Sequence, residues 1–414
     1  MKKFFAIVFA LFLCSCNTGQ GSGTPPEENK PPFGWRSAGF TPDPSEINRW
    51  GTGLAEITHS KDYIFIMDAA IGKDENSPGY RRAAHRIFIS RQGMETWDTL
   101  KLPQGLNPLS FYGDSSGLYV GSYVNAIVWH YEPASKKWTN MNIFELKENQ
   151  GFNVYGITRL NSQLVISLAG FEDTTAVDKL IIAPILLQQS DGTWKDIAPP
   201  NTGTLEVPSH LRKAPLHFFA AREWRGDLFV ATGEDGVWRY SSLNGQWSKV
   251  PNPNQPFWTF LYDGYYTEEV AAQDLTIYNS RLHMIGYMGG IYALNDDLRS
   301  WTGIDSIRTS ESGVLKSNTP LYPYALASDG EHLFVSGTNS GIPAVYMGYR
   351  GEPKGWRHID KGEWCNPSRW RCLGLSTYDL DVIGDTLYAA AWEGLYKFPL
   401  ADLDSSIANE ESYK

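Results

Sequence analysis

Cysteine is scarce in this chain, with four among 414 residues: Cys14, Cys16, Cys365 and Cys372. A disulfide-dense scaffold is therefore excluded. A permanent membrane helix needs about 20 apolar residues, and the run at the start, Phe4 to Leu13, has only ten. No long stretch carries a 3.6-residue apolar stripe, which argues against a helical domain. Basic residues are also short, 36 Lys and Arg against 46 Asp and Glu, for a formal charge of −10. An acidic surface argues against nucleic acid and anionic lipid as partners. The H-E-x-x-H and P-loop motifs are missing, and the eight histidines are scattered without metal-ligand spacing.

The first residues, "MKKFFAIVFALFLCSC", combine a basic start, Lys2 and Lys3, with the short apolar run of a secretory signal. The ending "LCSC" resembles the bacterial lipobox, with Leu13 at −3, Cys14 and Ser15 next, and Cys16 at +1. That resemblance implies a signal peptide over 1–15 and lipidation at Cys16. The alternative is an ordinary secretory peptide with two incidental cysteines. Several acyl chains on one residue give stable anchoring where one would not. Asn17 stands where an aspartate would suggest inner-membrane retention, so the outer membrane, facing the periplasm or the surface, is expected. Residues 16–32, rich in Gly, Pro, Ser and Asn, read as a disordered tether.

Beyond the tether, short alternating segments are punctuated by Gly, Asn and Asp, the pattern of an all-β chain. One strand recurs seven times: "YIFIMD", "LYVGSY", "LVISLA", "LFVATG", "LHMIGY", "LFVSGT" and "LYAAAW". Each copy comes after a tight polar turn and precedes a Gly-rich stretch and a strand ending near Trp. A period of roughly 50 residues with four strands per unit predicts a β-propeller of seven four-stranded antiparallel blades over 33–400. Residues 401–414 read as a tail.

The fourth-strand tryptophans are Trp97, Trp138, Trp194, Trp247, Trp301 and Trp356, six for seven units. The last unit ends "GLYKFPL" without one. Trp35, in "FGWRSAGF", is the missing member, so the N-terminal segment is expected to complete the last blade and cover its open edge. The contexts "SRQGMETW", "SDGTW" and "NDDLRSW" resemble the Asp-box of sialidase-like (BNR) propellers. That resemblance covers these turns only. It supports the fold and says little about activity.

Function is expected on the face carrying the long insertions, where loops on a rigid scaffold usually bind. The insertion at 251–270 holds Trp258, Tyr262, Tyr265 and Tyr266 beside Asp263; "WCNPSRWRC" adds Trp364 and Trp370 beside Arg369. Flat rings next to charged groups suit a sugar, with C–H faces on the rings and hydroxyls on the acids; the alternative is a packed lid. In an exported chain, Cys365 and Cys372 are expected to form a disulfide loop.

Aligning the first strands gives a column of Glu56, Ser110, Gly156, Ala220, Asp274, Ala325 and Asp379. Two residues on come Thr58, Tyr112, Thr158, Arg222, Thr276, Ala327 and Asp381. Period-2 alternation sends both sets into the central channel. Crowding of Glu56, Asp274, Asp379 and Asp381 near Arg222 predicts a raised carboxyl pKa or a bound cation such as Ca²⁺, or else solvated side chains in a wet channel. No other cofactor is expected.

The arginine cluster of a sialidase is missing, although a two-carboxylate glycosidase using Glu56 with Asp274 or Asp379 fits the residue types. The sequence thus points to a lipid-anchored, monomeric binding protein of the cell envelope that recognises carbohydrate. A protein-binding scaffold is the first alternative and a glycoside hydrolase the second.

Overall fold

The computed structural model describes residues 34–40, 54–68, 86–123, 125–143, 145, 151–171, 181–182, 184–199, 220–232, 236–253, 259–261, 265–267, 272–286, 290–304, 322–339, 342–349, 352–359, 365–366, 371–372, 377–391 and 394–403. The chain clusters into two units, Met1–Pro32 and Phe33–Lys414. The first, with the leader and Cys16, lies outside the described residues.

The second unit is an all-β propeller. Strands adjacent in sequence pair antiparallel, beginning with Leu54–His59, Tyr63–Asp68, Ile87–Arg91 and Asp98–Thr99. The next sheet holds Pro108–Asp114, Gly117–Ser122, Val128–Glu132 and Lys137–Asn140. Further sheets hold Ala220–Trp224, Asp227–Ala231, Val237–Ser241 and Gln246–Lys249, then Ala272–Tyr278, Arg281–Gly286, Ile291–Leu294 and Trp301–Ile304. Tyr322–Ser328, His332–Asn339, Ile342–Tyr349 and Glu352–His358 make another. Thr377–Ile383, Thr386–Ala391 and Gly394–Pro399 take their fourth, outer strand from the other end of the chain, Arg36–Phe40. Its register sets Arg36 opposite Lys397 and Ser37 opposite Tyr396.

Seven uniform blades were expected, and that count is corrected: six sheets have four strands, while the sheet over 151–196 has five. It contains Gly151–Leu160, Gln163–Phe171, Ile185–Gln188 and Trp194–Asp196 in the usual order. Gln163–Phe171, nine residues long, outruns the four-residue Ile185–Gln188. The surplus is paired by Ile181–Ile182, with Gly170 opposite Ile182 and Phe171 opposite Ile181.

The core lies between sheets. Phe65, Met67 and Ile87 pack against Phe111, Leu118 and Val120 of the next sheet, and Leu160 and Val165 against Ala221 and Leu228. Second strands are covered on both sides, which is why they read as unbroken apolar runs such as "YIFIMD".

The tryptophan column fastens these junctions. Trp97 donates its indole N–H to the Ala38 carbonyl at 2.9 Å, Trp138 to Lys101 at 3.1 Å, Trp247 to Ile197 at 2.5 Å and Trp301 to Pro251 at 2.9 Å. Each bond reaches the outer edge of the preceding sheet. Trp35 does the same, to Ile359 at 2.8 Å. The end of the chain joins this closure: Asp402 accepts from the Gly34 N–H at 3.0 Å, and Leu403 is buried with Trp35.

Candidate functional site

The inner strands carry a feature that period-2 alternation cannot show. In six of them the register slips immediately before the column residue, at Leu54/Glu56, Pro108/Ser110, Val154/Gly156, Ala272/Asp274, Pro323/Ala325 and Thr377/Asp379. A bulge inserts one residue and re-aims its neighbours.

The re-aimed side chains reach sideways to the next sheet. Asp379 accepts from the Leu380 N–H on one oxygen and from the Ile57 N–H on the other, both at 2.9 Å. Asp274 repeats this with Leu275 and Leu326, both at 2.7 Å. Ser110 donates its hydroxyl to the Val154 carbonyl at 2.9 Å. The column is thus partly a row of clasps between inner strands. Asp381 is paired with His59 Nδ1 at 2.8 Å. Arg222 is exposed and donates to its neighbour's carbonyl, Ala221, at 2.9 Å. Glu56 is half-buried.

Burial pushes the Asp379 carboxyl well above the ordinary value; the Ile57 N–H opposes this, and the charges of Asp274, Glu56 and Asp381 add to it. Burial also raises Asp274, against the pull of Arg222 and two backbone N–H groups. Among the described residues there is no group of three or more His, Cys, Asp or Glu placed to hold a metal ion.

Of the aromatic loop residues, Trp258, Tyr262, Asp263, Trp364, Trp370 and Arg369 lie outside the described residues. Tyr265 and Tyr266 belong to Tyr265–Thr267, which pairs with Thr259–Leu261 and sets Tyr266 opposite Phe260. The other insertion pairs Cys365–Asn366 with Arg371–Cys372 and sets Cys365 directly opposite Cys372. Both hairpins fall between the fourth strand of one sheet and the first of the next, connections that share one face of a propeller.

The sequence reading missed a cavity of about 450 Å³ on the other face, among the tight turns. His59, Ser60, Lys61, Gln92, Gly113, Asp114, Ser115, Ile383 and Gly384 line it. Asp114 anchors a polar network behind this lining. It accepts from Ser116 N at 2.7 Å, from Ser116 Oγ at 2.6 Å and from Arg159 Nε at 2.6 Å. Arg159 also donates to the Tyr119 hydroxyl at 3.0 Å and to the Ser162 carbonyl. Tyr119 stacks on His130 with ring centroids 4.5 Å apart. Burial works against the Asp114 charge, but bonds from Ser116 and Arg159 outweigh it and hold its pKa below the usual value. The hydrogen bond to Asp381 raises His59, with burial opposing. The short polar turns themselves were the available signal, but their uniformity concealed it.

No protein-family model matches the chain, and no curated protein matches it in sequence. Solved structures do match in shape. One described as YCF48 bound to D1 peptide aligns with a TM-score of 0.53 at 12% identity, covering 91% of this chain and 97% of that one. The extracellular domain of a putative one-component system from B. thetaiotaomicron aligns at 0.52 and 11% identity, over 85% of this chain and 39% of that one. The structure of U3-55K aligns at 0.51 and 11% identity, over 88% and 98%. Identities this low show the β-propeller fold and nothing narrower.

Proposed function

We propose that this chain is a lipid-anchored, exported binding protein of the cell envelope that takes carbohydrate on the face bearing its long insertions. The observation that carries this reading is the aromatic insertion at 251–270, which builds a hairpin of its own with Phe260 opposite Tyr266. A second hairpin, closed by Cys365 opposite Cys372, stands on the same class of connection. Those two cysteines form a disulfide in this reading, and reduction with alkylation followed by mass measurement tests it. The Asp-box-like turns support a distant kinship with sialidase-like propellers.

Binding is favoured over hydrolysis because both oxygens of Asp274 and of Asp379 already accept backbone N–H groups. A glycosidase needs one carboxyl group turned to the leaving oxygen and a second facing the sugar ring. A protein ligand is the second reading, favoured by the likeness in fold to a propeller solved with a bound peptide.

The deciding experiment is a tryptophan-fluorescence titration of the protein against a panel of purified oligosaccharides and polysaccharides. A saturable change with one glycan class, abolished in Trp258→Ala while the folded signal remains, is the expected result. Silence across the panel, with a partner protein captured on the same face, would move the conclusion to the second reading. Anchoring is read separately: Cys16→Ala should release the chain from membranes, and protease shaving of intact cells reports which side it faces.

A further inference from the structure

We propose that the cavity among the tight turns is a second binding site, selective for a small oxyanion, a carboxylate or a phosphate, held between the imidazole of His59 and the ammonium of Lys61. Its size falls within the range of small-molecule sites, about 450 Å³, and Ile383 is the only aliphatic side chain beyond the stems of its polar residues. The lining therefore selects polar ligands.

Charge gives the sign. Asp381 accepts from His59 Nδ1, which fixes the ring and leaves the second N–H of an imidazolium as the donor still unused in that pair. Asp114 is neutralised by Arg159 and by two bonds from Ser116. Lys61 forms no ion pair with a described residue. Once the two internal pairs cancel, the charge left on the lining is positive, on a chain whose formal charge is −10. Asp62 and Asp385 belong to the same turns but not to the lining. A local cation in an acidic protein concentrates small anions. The hydrogen bond that His59 donates to Asp381 also keeps His59 charged to a higher pH than a free histidine.

The test uses the full chain in detergent with labelled histidines, titrated with inorganic phosphate or succinate against chloride as control. His332 is the internal reference, because it pairs with Asp329 at 2.7 Å in another turn but does not line this cavity. The expected result is a saturable shift of the His59 ring signal with no matching shift of His332. Phosphate alone would identify a phosphorylated ligand, and succinate alone a carboxylic acid. Lys61→Met and His59→Gln should each weaken binding about tenfold, the worth of one charge-assisted hydrogen bond. Lys61 is exposed, so Lys61→Met leaves the fold intact. No shift with either anion, equal shifts of both histidines, or full affinity in Lys61→Met would overturn the proposal.

Discussion

The indole N–H of Trp35 donates to the carbonyl of Ile359, 2.8 Å away and 324 residues further along the chain. This bond is one of a series, since Trp97, Trp138, Trp247 and Trp301 each reach back to the preceding sheet in the same manner. What sets Trp35 apart is that its strand comes from the opposite end of the chain. Its junction is closed by non-local contacts rather than by a short connection.

Trp35→Ala should therefore be among the costliest single changes. Trp35 is fully buried and meets Phe398 edge-on with centroids 5.4 Å apart. Truncating a buried aromatic costs about 3–5 kcal/mol, read as a lower midpoint in urea unfolding. Trp35→Phe keeps most of the packing but orphans the Ile359 carbonyl, at about 1–3 kcal/mol. Equal losses in both variants would show that the hydrogen bond, not the ring, closes the junction.

Gly39 makes a second test of closure. Its φ is +77°, and a Cβ there would lie 2.1 Å from the Glu95 carbonyl oxygen in the neighbouring sheet. Gly93 has a similar φ of +80° but open space around it. Left-handed backbone alone costs an ordinary residue about 1–3 kcal/mol, so Gly93→Ala measures that part. Gly39→Ala should lose more and render the N-terminal strand sensitive to protease. Equal stability of the two variants would mean that the strand can shift away from Glu95 without cost.

The closure was legible in the sequence because a periodic pattern exposes a missing member: six tryptophans for seven units single out Trp35 as the seventh. The destination of the channel carboxylates was not legible. A bulge changes register without changing composition, so alternation pointed Asp379 straight into the channel, whereas its oxygen meets the Ile57 N–H, 322 positions away in sequence. His59 belonged to neither aligned column, and only the juxtaposition of first and last sheets brings it to Asp381. Residues 180–187, "LIIAPILL", read as one strand, and the break that sets Ile181–Ile182 apart from Ile185–Gln188 was not legible because strand ends are poorly marked in an apolar run.

Asp379 predicts a pH dependence of stability. Its carboxyl, raised well above 3.8, holds a proton in the folded state that the unfolded chain has already released. Stability from this group is full at low pH and falls as pH rises from about 3.8 through the raised value. Asp379→Asn resembles the protonated acid and cannot ionise. Its stability relative to the parent should therefore rise steadily across that window in urea unfolding at a series of pH values. A constant difference would show that Asp379 ionises normally in the folded protein.

His283 predicts the opposite slope. It is 3% exposed, its Nδ1 bonds the Arg281 carbonyl at 3.0 Å, and burial lowers its pKa from 6.5 to about 4. The unfolded chain then binds a proton that the folded one refuses, so stability is retained above pH 6.5 and lost as pH falls toward 4. A depression of this size corresponds to a loss on the order of 3 kcal/mol. His59 titrates the other way, above 6.5, because Asp381 holds its proton. An NMR titration should show the two rings changing charge in separate pH ranges, His59 first as acid is added. His283→Asn should flatten the acid limb of the stability curve and leave the His59 titration where it was. If His283 instead titrates near 6.5, its site is open to water, and the packing against Tyr278, at 5.3 Å between ring centroids, is looser than the structure has it.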